Sequence, residues 1–284
     1  MKKILLPTDF SENAYDAIEY AVQLFKEEEC TFYLLHTFVP GSYVISSVDD
    51  GPSNMVIEDI AKRNAEERLQ ETQSKLEAAH TNLKHTFEIV ISFNSLMSEM
   101  KSIVKERAID LIVMGTQGAT GAKEIFLGTN TMDTIRKVKT AVIAVPDGFT
   151  YQKPQEILFT TDLKFSMENK YLPLLRWIGT KHIARINALN IYTGRSLEPY
   201  QEQVKNQLAT YFKDNSYLFH ELEYMSVTEA VEHFQIKHKA DFLVMINNKH
   251  SYFENLLFKP VIKEIVFHTS IPFMVIPSVA LMDS

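Results

Sequence analysis

Four glycines fall within the stretch MGTQGATGAKEIFLGTNT, Met114 to Thr131, of this 284-residue chain. Two residues separate Gly115 from Gly118 and nine separate Gly118 from Gly128, with Thr129, Asn130 and Thr131 following at once. A residue without a Cβ tolerates positive φ and lets backbone come close to a ligand. The segment TNTMDTIRKV opens on cap-forming residues and ends on basic ones, which predicts a helix over 129–137 with its N-cap among Thr129, Asn130 and Thr131. The first turn of such a helix offers unpaired N–H groups and the positive end of the dipole, a place for phosphate, and the hydroxyls of Thr129 and Thr131 add donors. The competing reading is a turn that only joins strand to helix, where glycine serves steric needs. No glycine here precedes Lys-Ser or Lys-Thr, and no Gly-x-Gly pair occurs, so neither the Walker loop nor the dinucleotide fingerprint is present.

The second candidate is Asp9, after Pro7 and Thr8 in KILLPTDFSEN. A carboxylate between a strand and a helix can face a ligand, and it can equally serve as the helix N-cap. His36 lies in an apolar strand and reads as a satisfied core histidine, with Thr37 beyond it. His233 and His238 stand five apart on one expected helix, where a metal pair needs three or four, so no metal site is expected. No Cys–His pair or Gly-x-Ser-x-Gly elbow stands out, so no catalytic residue is assigned.

The elements that must carry these residues alternate. The first half reads as strand 3–7, helix 12–28, strand 31–37, helix 56–80, strand 85–92, helix 95–107, strand 109–114, helix 129–137 and strand 140–146. KILLP, DLIVM and AVIAV are apolar at nearly every position, as in strands buried on both faces of a parallel sheet. Strand–helix alternation implies right-handed crossovers in a doubly wound α/β layer, whose ligands bind beyond the carboxyl ends of the strands. Asp9 and the glycine stretch both leave strands at that edge.

The pattern then repeats. KILLPTDF returns as EILFTTDL with Asp162 for Asp9, an offset of 153, and LLHTF returns as ALNIY, an offset of 154. LIVM, ending at Met114, returns as FLVM, ending at Met245, and that offset of 131 holds through AVIAVP and PFMVIP. The first copy is therefore longer by 23 residues, the difference between 154 and 131, located between Phe38 and Leu83. The polar join YQKPQ separates the copies, giving domains 1–149 and 152–284, each expected to hold a mostly parallel five-stranded sheet with helices on both faces. In the second copy the offset puts Ile246, Lys249, Lys259 and Pro260 where the first has Gly115, Gly118, Gly128 and Thr129, and Asn190 for His36. Side chains then fill the space for phosphate, and proline brings no N–H to a helix start that it otherwise fits.

Bulk properties narrow the classes. With 29 basic and 36 acidic residues the net charge is −7, which argues against a broad grip on nucleic acid. The single cysteine, Cys30, excludes an intrachain disulfide framework and points to a reducing, cytoplasmic setting. The apolar start is broken by Pro7, Thr8 and Asp9 and reads as a strand rather than a signal peptide, and no run reaches the roughly 18 apolar residues of a membrane span.

PTDFSENAYDAIEYA, LLHTF, IVMGTQG and GTNTMDTIRKVKTAVIAVP resemble, in this order, segments of the universal stress protein family, strongly in the first copy and more loosely in the second. The family's nucleotide pattern, Gly-2x-Gly-9x-Gly-Ser/Thr, fits Gly115, Gly118, Gly128 and Thr129 without a shift of register. The resemblance implies an adenine-nucleotide alpha hydrolase-like fold and a stress-response protein holding ATP, with or without Mg. It places Pro7, Thr8, Asp9, Thr37, Met114, Gly115, Gln117, Gly118, Gly128, Thr129, Asn130 and Thr131 around the nucleotide, Asp9 near ribose and metal–phosphate and Thr37 at adenine. Gln117 stands where the family often carries histidine or arginine, leaving one phosphate contact neutral. At most weak ATP hydrolysis is implied, with the second copy as scaffold. The alternatives are a partner-binding module without nucleotide, and an ATP-pyrophosphatase or adenylyl-transfer enzyme, although PTDFSEN replaces the Ser-Gly-Gly loop usual there. Two further expectations concern assembly. The apolar last strands TAVIAVP and PFMVIP should pair within the chain, giving a pseudo-twofold monomer that can assemble further into a homodimer, and the loop 38–55 should act as a lid.

Overall fold

The computed structural model describes residues 1–38, 54–117, 127–192, 194, 196–223, 227–247 and 270–278. Gly118, most of the expected lid, and Lys249, Lys259 and Pro260 lie outside these.

The first half runs β1 (Lys2–Pro7), α1 (Glu12–Leu24), β2 (Cys30–Thr37), α2 (Asn54–Ala79), β3 (His85–Ser92), α3 (Leu96–Glu106), β4 (Leu111–Gly115), α4 (Thr129–Lys137) and β5 (Ala141–Val145). The second continues as β6 (Glu156–Thr160), α5 (Leu172–His182), β7 (Arg185–Tyr192), α6 (Pro199–Tyr211), β8 (Ser216–Glu223), α7 (Val227–His238), β9 (Phe242–Asn247) and β10 (Phe273–Pro277). Both halves wind in the same order, so the sheet reads β3-β2-β1-β4-β5-β10-β9-β6-β7-β8. Every strand pair is parallel except β5 with β10.

The two five-stranded sheets join edge to edge through β5 and β10 into one ten-stranded sheet. Phe273, Met274 and Val275 sit opposite Ala144, Ile143 and Val142 in antiparallel register. All six are buried, so each apolar edge covers the other and neither faces water.

Alternation along the strands sends side chains to two cores. Ile4 and Leu6 join α1, α2, α5 and α6 on one face, and Leu5 joins α3, α4 and α7 on the other. The first core runs unbroken through both halves. Phe25, at the end of α1, stacks on Trp177 of α5 with ring centroids 4.8 Å apart and planes at 7°. The adjacent His182 Nε2 donates to the Leu24 carbonyl at 3.0 Å.

The length asymmetry of the copies lies largely in one helix. Helix α2 has 26 residues and its counterpart α6 has 13, so 13 of the 23 surplus residues are helix rather than loop. Ala65, Leu69 and Leu76 anchor α2 to the core. Residues 58–64 are largely exposed, with Ile60 at 53%. Among the described residues, no helix is long and apolar enough to cross a membrane.

Candidate functional site

The chain reverses direction between β1 and β4: β2 and β3 lie to one side of β1, β4 and β5 to the other. That switch point opens a cleft beyond the carboxyl ends of β1, β2 and β4. Its volume is about 270 Å³. Pro7, Thr8, Asp9, Thr37, Met114, Gly115, Gln117, Gly128, Thr129, Asn130 and Thr131 all line it, together with Ala14, His36 and Leu96, which the sequence reading did not place there.

The turn after β1 is a fixed device. The Thr8 hydroxyl accepts from Phe10 N at 2.9 Å, which holds Phe10 at φ 62°, in the left-handed region. Asp9 is not the N-cap of α1. Ser11 is, its hydroxyl accepting from Ala14 N at 3.2 Å, while Asp9 Oδ1 accepts from Ser11 N at 3.0 Å and Ser11 Oγ at 2.6 Å. The carboxylate thus orients the cap rather than capping, and it remains exposed at the cleft mouth. His36 Nδ1 donates to the Thr8 carbonyl at 2.8 Å and its ring lies 4.5 Å from that of Phe10, so this histidine secures the turn.

The glycines have steric causes that spacing alone did not reveal. A Cβ on Gly115 would come within 2.6 Å of the Asn13 side-chain carbon and 2.9 Å of its carbonyl oxygen. A Cβ on Gly128 would come 2.9 Å from the Thr116 carbonyl, which accepts a hydrogen bond from Gly128 N. Gly128 itself occupies the N-cap of α4, without a side-chain cap bond, instead of Thr129, Asn130 or Thr131. The Thr131 hydroxyl is not available as a donor to phosphate, because it donates to the Gly115 carbonyl at 2.7 Å. Thr129 and Asn130 are exposed at the helix start. Asn13 is the residue that sequence reasoning missed. Its signal was an asparagine in the first turn of a helix, where propensity is poor and a specific bond is the usual reason.

The cleft offers a nucleoside apolar walls in Pro7, Met114 and Leu96 and a hydroxyl in Thr37. For phosphate it offers the first turn of α4, whose dipole is worth about 0.3–1 kcal/mol to an anion. Among the described lining residues none is lysine or arginine and Asp9 is the one carboxylate. A phosphate group would be held by backbone N–H groups rather than by side-chain cations.

The second half repeats the turn. Thr161 accepts from Leu163 N at 2.9 Å with Leu163 at φ 60°, and Asp162 accepts from Lys164 N at 2.9 Å. Asn190 takes the part of His36, donating to the Thr161 carbonyl at 2.9 Å. Here the first turn of α6 folds over the edge, Gln201 Nε2 donating to the Asp162 carbonyl and Tyr200 Oη to the Phe165 carbonyl, both at 2.7 Å. Burial raises the pKa of the Asp162 carboxyl, with Lys164 acting against it. Ile246, in the position of Gly115, is 4% exposed and packed in the core.

Comparison with known proteins places this architecture. The model of the universal stress protein family matches residues 1–146, just over half of the chain. The chain belongs to the universal stress protein family. A universal stress protein of Methanocaldococcus jannaschii is 31% identical over 154 residues, covering 51% of this chain and 94% of its own. A universal stress protein structure from Archaeoglobus fulgidus DSM 4304 spans 98% of this chain and 97% of its own with TM-score 0.67 at 16% identity, so both halves share the family fold. Another solved universal stress protein, 18% identical over 51% of this chain and 96% of its own with TM-score 0.37, is a complex with cAMP.

Proposed function

We propose that the first half of this universal stress protein binds ATP in the cleft between β1 and β4 and that the second half is a scaffold without nucleotide. The observation that carries this reading is the assembly at one sheet edge of residues distant in sequence, Pro7 to Asp9, Thr37, Met114 to Gln117 and Gly128 to Thr131. Thr37 would meet the adenine and the amino end of α4 the phosphates, with Mg as companion to the phosphates near Asp9. The antiparallel β5–β10 pairing makes the chain its own pseudo-dimer in this reading. The test is mass spectrometry of small molecules released from the purified full chain. Intact ATP supports the proposal, AMP and pyrophosphate would turn it towards an enzyme, and no nucleotide would leave a partner-binding module.

A further inference from the structure

We propose that Asn13 is a positioning residue that sets where the chain leaves β4 and so shapes the nucleotide cleft, an inference that rests on the nucleotide reading above. Asn13 lies in the first turn of α1 and is 3% exposed. Its Oδ1 accepts from Gln117 N at 2.8 Å, and its Nδ2 donates to the Val145 carbonyl at 3.2 Å. One amide therefore ties three pieces together: the start of α1, the end of β5, and the residue two positions past the end of β4. The space for it exists because residue 115 is glycine, since a Cβ there would overlap the amide group. Asn13 and Gly115 are thus a matched pair from opposite ends of the first half.

The orientation of the amide is set by its partners. A backbone N–H must meet oxygen and a carbonyl must meet the NH₂, so the two bonds allow one orientation only. Both partners are main-chain groups, and a main-chain N–H that loses its acceptor away from water is destabilising. Loss of the amide would free Gln117 to seek another acceptor and move with it the chain leading from β4 into the cleft lining. Gln117 and Gly115 both line that cleft, whereas Asn13 does not.

Asn169, before α5, makes a bond of the same kind in the second half, its Nδ2 donating to the Pro277 carbonyl at 2.9 Å while its Oδ1 accepts from Tyr171 N at 3.0 Å.

The test uses the full chain, ATP with Mg as the probe, and three variants: Asn13→Ala, Gly115→Ala and the double variant. Asn13→Ala is expected to weaken ATP binding at least tenfold by calorimetric titration and to speed hydrogen exchange at the Gln117 amide. Gly115→Ala is expected to lower the melting temperature, because its methyl strikes Asn13. In the double variant the side-chain clash is gone while the Asn13 main-chain carbonyl still lies 2.9 Å from the methyl, so the melting temperature should recover in part while ATP affinity stays low. Recovery of both together would mean that the pair serves packing alone, and overturns the proposal. Wild-type affinity and an unchanged Gln117 exchange rate in Asn13→Ala would overturn it equally. Should the wild type bind no ATP, the nucleotide reading fails, and Gln117 exchange then decides for or against positioning.

Discussion

His36 and Asn190 occupy the same place in the two halves and make the same bond, to the carbonyls of Thr8 and Thr161, at 2.8 and 2.9 Å. What the position requires is a donor of the right reach rather than an imidazole. His36→Asn is therefore expected to change stability by less than about 1 kcal/mol, whereas His36→Leu leaves the Thr8 carbonyl unpaired and should cost about 1–3 kcal/mol. Urea denaturation of the two variants measures the difference, and equal losses would remove the donor argument. The aligned repeats made the satisfied hydrogen bond of His36 legible in sequence, but the ring is half-buried and lines the cleft rather than the core. The glycines were less so. Their spacing pointed to phosphate, but the groups that exclude a Cβ are the Asn13 amide, 102 positions before Gly115, and the Thr116 carbonyl. Contacts of that kind depend on the folded register, which a pattern does not carry. Copying the second half by Gly128→Lys would consequently disturb the apo fold as well as the phosphate seat.

Among the elements, α1 to α4 and β1 to β5 fall within a few residues of their sequence-derived bounds, because the apolar runs and amphipathic stripes that define them are local. Helix α2, expected over 56–80 and found over Asn54–Ala79, carries 13 of the 23 extra residues. Its packing is uneven along its length. Leu69 is fully buried, so Leu69→Ala is expected to cost about 2–5 kcal/mol through lost transfer energy and the cavity left behind. Ile60, at 53% exposure in the projecting turns, should cost less than about 0.5 kcal/mol on the same change. Thermal or urea melts of both variants check this, and comparable losses would show that the projecting turns pack as firmly as the rest.

At the scale of the whole molecule, the two halves share a sheet and a core, and the histidine at their join makes that union sensitive to acid. Burial lowers the pKa of His182, and the nearby Lys153 lowers it further, against the Leu24 carbonyl bond that favours protonation. The folded chain thus prefers the neutral ring, and the stability this contributes is full above the ordinary histidine value of about 6.5 and lost as pH falls through it. His85 and His220 are shifted the same way by burial, while burial raises the carboxyls of Asp16, Asp162 and Asp241, which act oppositely, upward from the ordinary value of 3.8. Stability should fall between pH 7.5 and about 5.5, and His182→Gln, which retains a donor, should fall less steeply. Denaturation at a series of pH values measures the slope, and equal slopes would remove His182 from the account. The measurement that bears most directly on the central claim is a calorimetric titration of the full chain with ATP and Mg. The first half holds an open cleft lined by Gly115 and Gly128, whereas the second has the buried Ile246 in the place of Gly115. One equivalent of ATP per chain is predicted, raising native stability by about 2.7 kcal/mol when ATP stands about 100-fold above its dissociation constant. Two equivalent sites, or none, would contradict it.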